Sequence, residues 1–405
     1  MRLSPSAPAG GSRAGPILFA RGFRVFFLLA GVYAVLSLGS WVALFRGWLV
    51  LPTGFSPPFW HAHEMLFGYA VAAMAGFLLT AVPNWTGTTS QKGRPLHGWP
   101  LAGLAALWLA GRIAVWSAPW LPLAAVAVAD LAFLPVLALV MARALWPARK
   151  PKNFVFVGLL ALLFAANVHS YVPLLGHGED NGLTLAVDVM VLAIVIVGGR
   201  ITPSFTAGVL RQRPDAPEVV IQPGVERGAI LSTLAVALAD LFALPLAWVG
   251  ALALLAGAAN GLRLAGYRPL STLGQPLLWV LHLGYAWAAF GLALKGLAAF
   301  VPSIPATAAL HALTVGAVGT MTLAVMSRAA LGHTGRPLVA PRPVALAYGL
   351  VSAAAAVRVF TPMLLPAWYL DGIVVSGLLW VLAFALFVAV YAPILTRPRA
   401  DGQPG

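Results

Sequence analysis

Apolar runs about as long as a bilayer crossing recur along the whole chain, separated by short breaks of polar, proline or glycine residues. A helix needs roughly 20 mostly apolar residues to cross the hydrocarbon layer. That measure predicts twelve spans, at 23–45, 59–82, 99–117, 120–145, 154–175, 183–203, 228–245, 247–264, 273–296, 306–328, 343–362 and 368–393. Turns such as "SAPW" at Ser117–Trp120 and "FVPSIPA" at Phe300–Ala306 mark helix ends. Only "LPLA" around Pro245 divides the seventh span from the eighth. The expected fold is all-α, a polytopic membrane bundle forming one domain over 23–394, with short tails at 1–22 and 395–405. The longest break, Thr202–Glu226, is proline-rich and polar. It predicts a loop at 204–227 between helices six and seven, with no catalytic role and no soluble domain.

Charge orients the bundle. With the N-terminus in the cytoplasm, the cytoplasmic segments collect all 25 basic residues except Arg46, Arg112, Lys295 and Arg358, while acidic "HGED" at His177–Asp180 falls outside. Cationic segments resist translocation, so both termini are expected in the cytoplasm. Composition agrees with a membrane domain. The chain is 60% hydrophobic and only 9% charged, against roughly 25% charged in a soluble domain, and its mean hydropathy is +0.90. The net charge of +14 is scattered between apolar segments, which sets topology and does not suggest nucleic acid. The chain has no cysteine, so disulfides, thiolate-held zinc or iron–sulfur centres and c-type haem attachment are excluded. The N-terminal stretch has no signal-peptide pattern.

An ionisable side chain in the bilayer core costs about 2.5–3.5 kcal/mol on insertion scales, so each one needs a reason. The topology places His61, His63, Glu64, Arg112, His169, Asp188, Asp240, His311 and Arg358 in one layer in the outer half of the membrane, with Asp130 and His282 nearer its middle. Imidazoles at a common depth suit ligation of haem iron or copper. Arg112 and Arg358 suit haem propionates, which a guanidinium can hold bidentately. Glu64, Asp130, Asp188 and Asp240 are candidates for orienting imidazoles or for a proton path, or they pair with the arginines. An isolated intramembrane histidine also serves simply as a hydrogen-bonder between helices. His97 and His333 fall in cytoplasmic loops and His177 in an exposed outer loop, all poor candidates.

Residues two apart on an α-helix point about 200° apart, so His61 and His63 of "FSPPFWHAHEM" do not both ligate one ion if the helix is regular. His61 would share a face with Glu64, Met65 and Gly68, and His63 one with Phe67, Ala70 and Met74; the second face is the slightly preferred one. The chain also echoes itself. "HAHEMLFGYAVAAMAGFLLTAVPNWTG" from His61 and "HALTVGAVGTMTLAVMSRAALGHTGRP" from His311 both open on His-Ala and both close near Thr-Gly. Spans two, six and ten are thus four apart, an arrangement shared with haem–copper oxidases, although no paired histidines occur in span ten and none in spans six and seven. An oxidase-type binuclear centre is not expected.

Those same stretches, "WHAHEMLFGYAVAAMAGFLLTAVPNWTG" (Trp60–Gly87) and "HALTVGAVGTMTLAVMSRAALGHTGRPL" (His311–Leu338), resemble the two strongest signatures of the NnrS family. "RGFRVFFLLAGVYA" (Arg21–Ala34), "NVHSYVP" (Asn167–Pro173) and "GGRITPSFT" (Gly198–Thr206) fit as well. The resemblance implies a multi-pass protein of the bacterial inner membrane that contains haem and copper and serves the response to nitric oxide, nitrosative stress and denitrification. It implies no agreed mechanism, so a catalytic role stays open and the electron donor unknown. The residues expected at the haem are His311 with His63 or His61, and Arg112 and Arg358 at its propionates; His169, His282 and the unused span-two histidine are expected at copper. Partners are the lipid bilayer and nitric oxide or a related small molecule, with no nucleic acid. The rival readings are a proton-coupled secondary transporter and a metal-handling or assembly factor. The same-sense echo and the outer position of the polar layer weigh against transport, whose repeats are commonly inverted and whose sites lie at the midplane.

Overall fold

The computed structural model describes residues 16–50, 54–86, 95–146, 149, 151–176 and 182–403. Arg2, Arg13, Lys92, Arg94, Lys150, the "HGED" segment and Gly87 of the first Thr-Gly lie outside the described residues. The rest is helical, with α1 at Gly22–Phe45, α2 at Pro57–Thr86, α3 at Trp99–Trp116 and α4 at Leu123–Leu145. Next come α5 at Val155–Ser170, α6 at Gly182–Leu210, α7 at Pro223–Leu241 and α8 at Leu246–Gly266. The last four are α9 at Pro276–Ala298, α10 at Ala306–His333, α11 at Arg342–Leu364 and α12 at Tyr369–Thr396. Eleven of the helical segments are long and apolar enough to cross a membrane. The exception, α7, has the length, but Glu226, Arg227 and Asp240 lower its apolarity. The chain is therefore a multi-pass membrane bundle.

Hydrogen bonds at the helix ends define two faces. At one, Gly98 N–H donates to Phe19 O (2.8 Å). There too, Arg24 Nη1 donates to Leu395 O and Arg397 O (2.8 Å each) and Arg399 Nη1 to His333 O (3.1 Å). The start of α1 thus meets the ends of α10 and α12. At the other face the end of α1 meets the start of α12 through Arg46 and Asp371 (3.7 Å). The chain therefore crosses back and forth, and both described ends meet at the first face, which carries most of the arginines. Helices α2, α6, α9 and α10 form the enclosed centre, whereas α4, α8, α11 and α12 expose more of their length. Small residues let helices touch backbone to backbone, as is usual in membranes: a Cβ on Gly257 of α8 would lie 2.7 Å from Ala293 N of α9.

Two predicted boundaries move. The loop expected over 204–227 shrinks to 211–222, because α6 continues through Pro203 to Leu210 and α7 begins at Pro223. Proline is tolerated inside a membrane helix when neighbouring groups satisfy the freed carbonyls. The carbonyl that Pro203 frees is Gly199 O, and the Tyr267 hydroxyl lies 3.4 Å from it. Likewise α10 runs past 328 to His333, with the Arg328 guanidinium 4.1 Å from the Phe205 ring centroid.

Helices α2 and α10 share an irregularity. Each starts as an ordinary α-helix (Pro57–His63, Ala306–His311), passes into a π-helical stretch (Glu64–Ala70, Ala312–Gly319), and returns to α-helix. A π segment is rare and gathers at functional sites. In both helices it begins directly after a histidine, so the sequence echo is an echo of backbone geometry as well.

Candidate functional site: an imidazole-lined cavity

His61 and His63 both lie in the ordinary α-helical start of α2, where residues two apart point about 200° apart, so the two side chains part company there. His61 leaves α2 toward a cavity of about 670 Å³, and His311 of α10 lines the same cavity. Arg358 near the end of α11 and Tyr369 at the start of α12 close one side. The remaining wall is largely apolar, with Leu38 and Trp41 from α1, Met65 and Tyr69 from α2, Val187 from α6 and Trp380 from α12. The volume lies within the roughly 300–1,000 Å³ of pockets that enclose a cofactor-sized ligand.

The polar atoms in this cavity are incompletely used. His311 Nδ1–H donates to Thr307 O at 2.7 Å. A carbonyl only accepts, so Nδ1 carries the proton and Nε2 keeps its lone pair, the arrangement that backbone carbonyls impose on metal-binding histidines. The His61 ring stacks on Trp41, with centroids 4.6 Å apart and planes at 17°, and its buried Nδ1 has no hydrogen-bond partner. Arg358 lies over the Tyr369 ring (5.6 Å), and its buried Nη1 also has no partner. The two imidazoles and this guanidinium are within electrostatic reach of one another. Two imidazoles and a guanidinium with no acid partner face an apolar space, so these residues fit a haem: imidazoles for the iron and a guanidinium for a propionate.

His63 goes elsewhere. Its Nδ1 lies 3.1 Å from Glu64 Oε1, and its Nε2 lies 3.1 Å from both Asp130 Oδ2 and Asn167 Oδ1. Arg112 bridges the same two carboxylates, Nη1 donating to Glu64 and Nη2 to Asp130. Trp116 Nε1–H donates to Glu64 Oε2 (3.1 Å), and Asn167 Nδ2 (2.9 Å) and Tyr171 OH (3.1 Å) donate to Asp130 Oδ2. Glu64 therefore sides with His63, contrary to the expectation that pairs it with His61; its backbone N–H still meets Trp60 O and His61 O as in an α-turn, so the carboxylate reaches its neighbour through its own side chain. Arg112 is committed to two acids, and Asp130, expected nearer the middle of the membrane, joins the same cluster as His63 and Glu64.

The expected single layer thus resolves into separate groups. Asp188 and Asp240 meet neither arginine; both accept from Lys295 Nζ, Asp188 Oδ1 at 2.8 Å. Lys295 was legible as a lone cation in apolar "GLALKGLAA", yet nothing in the sequence joined it to acids on α6 and α7. His282 Nε2 is 2.9 Å from Thr206 Oγ1, in the half of α9 remote from the cavity, and His169 is half-buried near the end of α5. Among the described residues no group of three or more His, Cys, Asp or Glu side chains is arranged to hold a metal ion. Sequence reasoning also missed Asn167, Tyr171 and Trp116, which carry no charge and stand out only once the acids they serve are located.

Fold and site together define a multi-pass membrane protein with a buried, histidine-lined cavity held between two π-distorted helices. The family model described as NnrS protein matches residues 17–399, nearly the whole chain. The chain belongs to the NnrS family. No curated protein matches the sequence significantly.

Proposed function

We propose that this protein is a haem-binding member of the bacterial response to nitric oxide, seated in the inner membrane with both termini in the cytoplasm and the cavity in the periplasmic half. The observation that carries the haem reading is the pairing of His61 and His311 across one apolar cavity, each with a ring nitrogen free of protein partners, beside the unpaired Arg358. His61 and His311 would hold the iron and Arg358 a propionate. Haem supplies an iron that binds small uncharged ligands such as nitric oxide. The chain's own residues hold it, fix the His311 tautomer through Thr307 and keep water away with Trp41, Tyr69 and Trp380.

A ligand of that kind dissolves in lipid and needs no polar entry, which agrees with apolar walls. The nitric oxide role and the copper expectation draw on the family resemblance. Copper would have to share imidazoles, since neither His169 nor His282 lines the cavity.

The test is the visible spectrum and metal content of detergent-purified protein from haem- and copper-replete cells. Haem in a ratio near one per chain is expected. A colourless preparation would overturn the reading and favour the transporter.

A further inference from the structure

Three buried ion clusters differ in how their charges balance. Arg263 of α8 pairs one to one with Glu226 of α7, helped by Tyr267 OH at 2.7 Å from Glu226 Oε1. At Arg112 two carboxylates face one guanidinium and the His63 ring, which contacts both acids. The third cluster has no such extra member. Among the described residues Lys295 of α9 is its single cation, held between Asp188 of α6 and Asp240 of α7. Two carboxylates and one ammonium leave a charge of −1 inside a membrane helix bundle, where an unbalanced charge is costly. The geometry shows where the missing positive charge belongs. Asp188 is 3% exposed, and its Oδ2 is buried and meets no donor. The Asp240 carboxyl group lies within hydrogen-bonding reach of Asp188. Two carboxyl groups in that position attract only when a proton lies between them.

We propose that Asp188 and Asp240 share one proton, which makes the Asp188–Lys295–Asp240 triad a proton-exchange site. Exposure gives it a direction. The Lys295 and Asp240 side chains each keep 19% of their surface accessible, against 3% for Asp188. A proton therefore arrives and leaves by way of Asp240. Asp188 follows Val187 on α6, and Val187, with Thr184 one turn earlier, walls the cavity. The inner end of the triad lies beside the cavity wall, although the site exists whether or not the cavity holds haem. The step is a transfer of one proton from Asp240 to Asp188, with Lys295 remaining the ammonium that holds both.

The same charge balance would be met by a small alkali cation, and the test separates the two. Infrared spectra of the full chain in nanodiscs report protonated carboxylic acid directly through its C=O stretch. The wild type is expected to show such a band at neutral pH, shifted on exchange into D2O and insensitive to sodium. Asp188→Asn and Asp240→Asn, which keep shape, should each remove it. Lys295→Met should add a second protonated acid to the one already present in the wild type, because both carboxyls then lack their cation; a triad serving only as helix glue would show no band in the wild type. Absence of the wild-type band, its survival in both Asn variants, or its replacement by sodium would each overturn the proposal. Monodisperse elution of the variants shows that they fold.

Discussion

His61 and His63 stand two residues apart and meet opposite fates. His63 enters a cluster in which Glu64, Asp130, Asn167 and Arg112 answer one another, and of the polar side-chain atoms there Arg112 Nε alone goes unmatched. His61 turns into a cavity with an unpartnered nitrogen and an unpaired guanidinium for company. A polar group costs free energy when buried without partners. A buried cluster that satisfies itself therefore explains its own presence, whereas a cavity with idle donors and acceptors is explained by a guest. Burial and charge alone do not separate structure from function here; completeness of pairing does.

This contrast is most vulnerable at Arg112. Arg112→Ala leaves Glu64 and Asp130 facing each other without their shared cation. Removing one partner of a buried ion pair costs about 3–5 kcal/mol, so denaturation in detergent should show a loss of that order and poor yield. His311→Ala should do the reverse: haem is lost while the stability of the haem-free protein changes by no more than about 1 kcal/mol, as read by pigment content beside the same unfolding assay. If His311→Ala keeps its haem, the cavity is not the haem site.

Arg358→Gln comes next. Loss of a charge-assisted hydrogen bond, about 1.5–3 kcal/mol, should weaken haem retention by on the order of tenfold in a transfer assay to apomyoglobin, with little effect on fold. The smallest effect belongs to Trp41→Ala. Its ring contact with His61 is of the kind that contributes about 0.5–1.5 kcal/mol beyond burial, so haem should remain bound with a several-fold faster loss.

Much of this architecture was legible in the sequence. Helix positions followed from hydropathy, because a bilayer admits few alternatives to a helix with internally satisfied backbone. The echo between His61 and His311 led to two helices that carry the cavity. Azimuth stayed hidden. Nothing in "HAHEM" announces a π turn, nor that Glu64 pairs with His63 while His61 faces the cavity. Pro203 misled for a related reason, since the Tyr267 hydroxyl that faces the freed Gly199 carbonyl is brought there only in the folded chain. The pairing of Lys295 with Asp188 and Asp240 joins three helices and has no local signature.

The cavity's role turns on His61, and not its neighbour His63, facing the guest. The decisive measurement is the visible spectrum of His61→Ala and of His63→Gln, purified side by side from haem-replete cells and normalised to folded protein. His61→Ala should lose or alter the haem spectrum in a normally folded protein. His63→Gln should fold less well, yet its folded fraction should keep the wild-type spectrum. A wild-type spectrum in His61→Ala together with an altered one in folded His63→Gln would contradict this assignment.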